Sequence, residues 1–127
     1  MMLGNILLVG LGGGLGSIAR YSCQRWIGTL HTHHFPWGTF AVNITGCFLI
    51  GLFWGITARQ SPDGSFTPNS QLFLMTGICG GFTTFSAFTL EGIGLLRDQK
   101  LFLFFLYTGA SLLLGLLATW GGIRLMR

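Results

Sequence analysis

The sequence predicts an all-α integral membrane protein: a single domain over residues 1–127 with four transmembrane helices, the third broken mid-membrane. Three observations carry this expectation. Half of the 127 residues are hydrophobic and only 8% are charged, against about 25% charged in an ordinary soluble domain, so a soluble fold would have almost no polar surface. Crossing about 30 Å of hydrocarbon takes roughly 20 apolar residues, and four such spans with short turns use the whole length. Finally, Thr76-Gly77-Ile78-Cys79-Gly80-Gly81-Phe82-Thr83-Thr84-Phe85-Ser86-Ala87-Phe88 sets a glycine pair and the adjacent hydroxyls of Thr83 and Thr84 inside an apolar run. Glycine in a helix interior costs about 1 kcal/mol relative to alanine, and backbone groups freed at membrane depth must find other partners, where they become ion ligands.

The first span runs from Leu3 to Arg20 or Trp26 and is rich in glycine (Gly10, Gly12, Gly13, Gly14, Gly16). Gly12–Gly16, and Gly51–Gly55 in the second span, have the small-xxx-small spacing that lets helices approach closely in lipid. No basic region precedes the first span and no small-residue cleavage site follows it, so it reads as a retained helix, not a signal peptide. His31, His33 and His34 follow in a loop with no Cys, Asp or Glu nearby, and read as exposed interfacial histidines in preference to a metal site. The second span, Gly38 to Ala58, carries one strongly polar side chain, Asn43. Its amide must be satisfied, either by a structural hydrogen bond or along a polar pathway, and spacing leaves both open.

Pro62, Asp63-Gly64 and Pro68 make Arg59 to Gln71 a connector. The third span, Leu72 to Leu96, holds the glycine-pair stretch and then Glu91, the one acidic residue in any span. A carboxylate there needs a partner, and Arg20 is the candidate for a structural ion pair. Arg97 to Lys100 is a polar turn. In the fourth span, Leu101 to Ile123, Tyr107, Ser111 and Gly115 share an i, i+4, i+8 face, and each hydroxyl either lines a polar face or bonds back to its own helix.

The net charge of +4 comes from seven Lys and Arg spread thinly along the chain, with no run to track a phosphate backbone, so nucleic acid is excluded as a partner. Three cysteines, two of them within apolar runs, read as small buried hydrophobes. Arg59, Arg124 and Arg127 fall on one side of the membrane and Arg20, Arg25, Arg97 and Lys100 on the other. Orientation follows the Lys and Arg excess, which here is nearly nil. The chain can insert both ways, and two copies would pair as an antiparallel, dual-topology homodimer.

The polar groups available to a pathway are donors or neutral: the Asn43 amide and the hydroxyls of Thr83, Thr84, Tyr107 and Ser111. Phe82, Phe85 and Phe88 recur every three residues, and their ring edges are electropositive. A stripe of this kind is also what core packing produces. With the break and the donors, the lining favours a small anion, whose hydration shell closely spaced donors must replace.

Gly12-Gly13-Gly14-Leu15-Gly16 with Arg20-Tyr21, Pro36-Trp37-Gly38-Thr39-Phe40-Ala41-Val42-Asn43 with Gly46, and Gly77-Ile78-Cys79-Gly80-Gly81-Phe82-Thr83-Thr84-Phe85-Ser86-Ala87-Phe88 with Glu91 resemble the CrcB/Fluc family of fluoride channels across all four spans. The resemblance implies an antiparallel homodimer with two fluoride pores and a structural sodium ion at its centre. The sodium ligands would be the Gly80 and Thr83 carbonyls of both subunits. The fluoride pathway would fall on Asn43, Thr84, Phe85, Phe88, Tyr107 and Ser111. Ala87 stands where many members have Ser or Thr, Gly115 where a second fourth-span hydroxyl often lies, and Phe82 where Leu is common, which suggests packing for that ring. The implied activity is passive fluoride export through the cytoplasmic membrane, with no covalent catalysis. The rival is a small dual-topology proton-coupled exporter of organic cations. It would need an acid at the centre of its pathway, and Glu91 lies beyond the motif toward a span end. A purely structural membrane subunit is disfavoured because a helix break with donors has no packing rationale.

Overall fold

The computed structural model describes residues 1–30, 34–59 and 66–127, and these are helical with short connections. His31, His33, Pro62 and Asp63-Gly64 lie outside the described residues. Helix α1 covers Met2–Leu30 and α2 Trp37–Ala58. A short α3, Pro68–Gln71, leads into a π-helical stretch, Leu72–Cys79, and then α4, Gly80–Phe82. Helices α5, Phe85–Arg97, and α6, Leu101–Leu125, complete the chain. Four segments are long and apolar enough to cross a membrane: Met2–Leu30, Trp37–Ala58, Pro68–Arg97 and Leu101–Leu125.

The boundaries follow local chemistry. Nothing between Arg20 and Gly28 stops a helix, so α1 continues past the expected end. Thr67 starts α3 as an N-cap, its side chain accepting from the Ser70 amide, with Pro68 at the first helical position where a missing N–H is harmless. The α5–α6 turn closes with Gln99 N–H donating to the Leu96 carbonyl and Lys100 N–H to the Leu95 carbonyl, and Gln99 sits at φ 57°. That is the left-handed helix stop in which residues after the cap satisfy the last carbonyls. Between α4 and α5, Thr83 (φ −85°, ψ 157°) and Thr84 (φ −149°, ψ 118°) are extended. The glycine pair itself is helical, Gly80 having φ −63° and ψ −38°. Gly81 serves another purpose: a Cβ there would strike the Gly13 carbonyl of α1.

Helix contacts are built on small residues, as expected where lipid removes the hydrophobic drive between helices. The most extensive contact is α2 with α6, followed by α1 with the π-helical stretch. Gly12 and Gly16 are buried against backbone atoms of Phe73, Gly77, Ile78 and Phe82, and Gly51 and Gly55 against Thr119, Ile123 and Met126. The pairs Gly12–Gly16 and Gly51–Gly55 therefore both lie in helix interfaces. On the α6 side, a Cβ at buried Gly122 would meet the Phe48 carbonyl and lie 2.8 Å from Leu52 N, whereas one at Gly121 would meet nothing within 4 Å. Gly122→Ala is expected to push α6 off α2, costing about 1–3 kcal/mol as overpacking does, while Gly121→Ala is neutral or slightly stabilising. Thermal unfolding of the two variants in detergent checks this, and equal midpoints would contradict it.

Candidate functional site

The extended pair Thr83–Thr84 leaves backbone groups without helical partners, and Asn43 of α2 answers them. Its Nδ2 donates to the Thr84 carbonyl at 2.9 Å, and its Oδ1 accepts from the Thr84 amide at 2.8 Å. One side chain thus replaces two backbone partners across 41 positions of sequence. Thr84 in turn caps α5, its hydroxyl oxygen accepting from the Ala87 amide at 3.2 Å. The Thr83 amide and hydroxyl both donate to the Cys79 carbonyl, at 3.0 and 2.9 Å.

Beside this junction lies a cavity of about 340 Å³. Asn43, Thr83, Thr84, Phe85, Phe88 and Ser111 line it together with Gly46, Cys47, Ile50, Cys79 and Leu112. The Phe85 and Phe88 rings are 5.6 Å apart, and Phe88 is 5.1 Å from the Tyr107 ring. Ser111 Oγ is buried and has no hydrogen-bond partner among the described residues. Its neighbours on α6 behave differently. Thr108 bonds back to the Phe104 carbonyl at 2.8 Å, and Thr119 donates to the Cys47 carbonyl of α2 at 3.0 Å. Gly115, one turn beyond Ser111, is buried, and a Cβ there would lie 3.4 Å from Cys47 Sγ.

Toward the Trp37 end of α2 a second polar cluster forms. Thr39 Oγ1 donates to Glu91 Oε1 at 2.7 Å, the Tyr107 hydroxyl donates to Glu91 Oε2 at 2.7 Å, and Gln24 Nε2 donates to Thr39 Oγ1 at 3.0 Å. Tyr107 is fully buried and Thr39 is 2% exposed. The Tyr107 proton is therefore committed to Glu91, and its ring is what approaches Phe88. A cavity of about 420 Å³ borders this cluster, lined among others by Gln24, Phe35, Thr39, Ala87 and Glu91.

The expected Arg20–Glu91 ion pair is not formed within the chain. Arg20 Nε donates to the Gly81 carbonyl at 3.1 Å, and both Glu91 oxygens are taken by hydroxyls. The sequence offered one acid and a nearby cation. In the fold, Arg20 packs beside the junction of α4, and Glu91 faces α2 and α6. Thr39 and Gln24 went unnoticed in the sequence. The available signal was spacing, since Thr39 precedes Asn43 by four residues and shares its helix face. Of the loop histidines, His34 is exposed, with Lys100 Nζ 2.8 Å from its Nδ1. Cys79 is buried and Cys23 and Cys47 half-buried, all free thiols, and no group of three or more metal-ligating side chains comes together among the described residues.

A family model described as CrcB-like protein, Camphor Resistance (CrcB), matches residues 7–123. The chain belongs to the CrcB family. Relatives similar over nearly the whole chain carry the name fluoride-specific ion channel FluC. That of Flavobacterium psychrophilum is 47% identical over 118 residues, covering 93% of each chain. That of Phocaeicola vulgatus is 45% identical over 119 residues, covering 94% of this chain and 95% of the relative, and that of Nitratidesulfovibrio vulgaris 42% identical over 118 residues, covering 93% of each. This CrcB protein is a multi-pass membrane protein.

Because Glu91 accepts two hydroxyl bonds, Glu91→Gln takes the anionic acceptor from both hydroxyls and sets an NH2 donor against one of them, and Tyr107→Phe leaves one carboxylate oxygen without a donor. Each is expected to cost about 1–3 kcal/mol, the penalty of an unsatisfied buried polar group. The double variant should fall short of additivity, whereas Arg20→Gln combined with Glu91→Gln should be additive to within about 0.5 kcal/mol. Unfolding of the purified variants measures both couplings. Strong coupling between Arg20 and Glu91 would reinstate the ion pair.

Proposed function

We propose that this CrcB protein is a fluoride channel, not an enzyme, which lets fluoride leave the cell passively through the cytoplasmic membrane. The weak acid HF enters uncharged and dissociates inside, and the membrane potential drives the trapped anion out, at about 2.3 kcal/mol per charge for each 100 mV. The observation that carries this reading is Ser111: a buried hydroxyl with no partner among the described residues, on the wall of a cavity it shares with Phe85 and Phe88. A buried donor left unmade costs about 1–3 kcal/mol, and a desolvated anion is the acceptor that removes the cost. The ring edges of Phe85 and Phe88 supply further positive potential. The names of the relatives support fluoride as that anion. The fluoride route therefore runs along Phe85, Phe88 and Ser111, with Asn43 and Thr84 as its structural wall and Tyr107 at its end.

The same reading takes Thr83–Thr84 as a break of the third span at membrane depth, and the working unit as an antiparallel homodimer. Two features support a second copy. Phe85 is 73% exposed although it lines the cavity, and Thr76 and Gly80 are exposed on the same span. The residues also fit a structural sodium ion. The Thr84 amide, the helical partner of the Gly80 carbonyl, donates to Asn43 instead, and Thr83 is extended, which frees its carbonyl from a helical ladder. The Gly80 and Thr83 carbonyls of both copies would hold the ion as hard oxygen ligands. The ion would supply a fixed charge that joins the copies.

Fluoride efflux from liposomes holding only this protein tests the channel. Proton-driven uptake of an organic cation without fluoride flux would favour the exporter. Phe85→Ile and Phe88→Ile keep apolar bulk, a change usually costing less than about 1.5 kcal/mol, yet each is expected to slow flux at least about tenfold, one decade per 1.4 kcal/mol of barrier. Ser111→Ala should act in the same direction and Phe82→Ile should be mild. Equal flux in all four variants would make the stripe mere packing. For the ion, dimer stability should fall on exhaustive sodium removal, and an unchanged dimer would exclude the cage.

A further inference from the structure

Gln24, Thr39, Glu91 and Tyr107 come from four different spans, α1, α2, α5 and α6, and form one continuous hydrogen-bonded chain. The direction of each bond is fixed by chemistry. A carboxylate oxygen accepts, so the Thr39 proton, 2.7 Å from Glu91 Oε1, lies on that side. The Thr39 oxygen can then only accept from Gln24, which requires the amide nitrogen and not the amide oxygen at 3.0 Å. Gly38 lets the stem of Gln24 pack against α2, since a Cβ there would lie 3.3 Å from Gln24 Cγ and 3.4 Å from its Cα. Gln24 also lines the cavity of about 420 Å³ together with Thr39 and Glu91. At the far end of the chain, the Tyr107 ring is 5.1 Å from Phe88.

We propose that Gln24 is a positioning residue for anion passage: it aims the Thr39 proton at Glu91 and adds no second negative charge to the wall it shares with them, so that Glu91 and Tyr107 hold the Phe88 side of the route. This rests on the channel reading above. Gln24→Glu is the discriminating variant because it preserves shape while replacing a donor with an acceptor. Thr39 then has one proton for two carboxylates. One Glu91 oxygen loses its donor, and a second negative charge borders the cavity, where it repels an entering anion. Two carboxylates sharing one hydroxyl cannot both stay ionised at low cost, so the variant takes up a proton as pH falls. A protonated carboxyl donates to Thr39 as the amide did.

The test is fluoride current through planar bilayers, where neutral HF carries no current, normalised to assembled protein. Gln24→Glu is expected to lose current by about tenfold or more near neutral pH and to recover most of it by about pH 5, toward the ordinary Glu range, whereas the wild type shows no such rise. Gln24→Met removes the donor without adding charge. It should conduct about threefold less or worse at every pH, and add nothing further in a Thr39→Val background, where the acceptor is already gone. Wild-type current at all pH values in Gln24→Glu, or a loss that does not recover on acidification, would overturn the role. If Gln24→Glu does not assemble, Gln24→Met with wild-type current overturns it equally. A wild-type protein that conducts no fluoride would instead refute the channel reading itself.

Discussion

One amide side chain holds the interior of this protein together. The extended residues Thr83 and Thr84 interrupt the helical ladder, although the Thr83 amide still donates to the Cys79 carbonyl, and Asn43 satisfies the amide and carbonyl of Thr84 together. The cavity, the start of α5 and the placement of Phe85 and Phe88 all depend on that substitution. A hydroxyl at position 43 would have a single proton and a shorter reach, and an aspartate could accept from the amide but could not donate to the carbonyl. Only a carboxamide meets both demands.

The spans were legible in the sequence because hydropathy over 20 residues averages out local detail. Their ends shifted where local chemistry decided, as in α1, which no breaker stops at Arg20. The glycines were legible as packing residues, but the pair Gly80-Gly81, where a break was expected, is itself helical. Gly81 is small because α1 passes close by, and the backbone departs from helix at two threonines. The π-helical turns of Leu72–Cys79 had no signal in residue type.

The polar residues were legible as a set, but their partners were not. Whether a hydroxyl is available to a ligand depends on what lies across from it, and that is a property of the packed chain. Thr108, Thr119, Tyr107 and Ser111 sit on one helix and have four different fates: back to its own carbonyl, to the next helix, to a carboxylate, and to no partner among the described residues. The Arg20–Glu91 pair is not formed within the chain for the same reason. Opposite charge is visible in a sequence, whereas two hydroxyls converging from α2 and α6 on one carboxylate are not.

Helix α1 has 29 residues, about 43 Å at 1.5 Å per residue, whereas the hydrocarbon layer is about 30 Å thick. The excess falls on the stretch after Arg20, where Gln24, Arg25 and Trp26 follow. The segment Pro68–Arg97, with 30 residues, is as long, whereas α1 runs its whole length as one unbroken helix, so it tilts or its last turns stand in the headgroups. Hydrophobic mismatch would act on α1 as a single rigid rod. Bilayer thickness, set by acyl chain length, then becomes a physical variable acting on the end of α1 that carries Gln24, through the angle at which one helix leans.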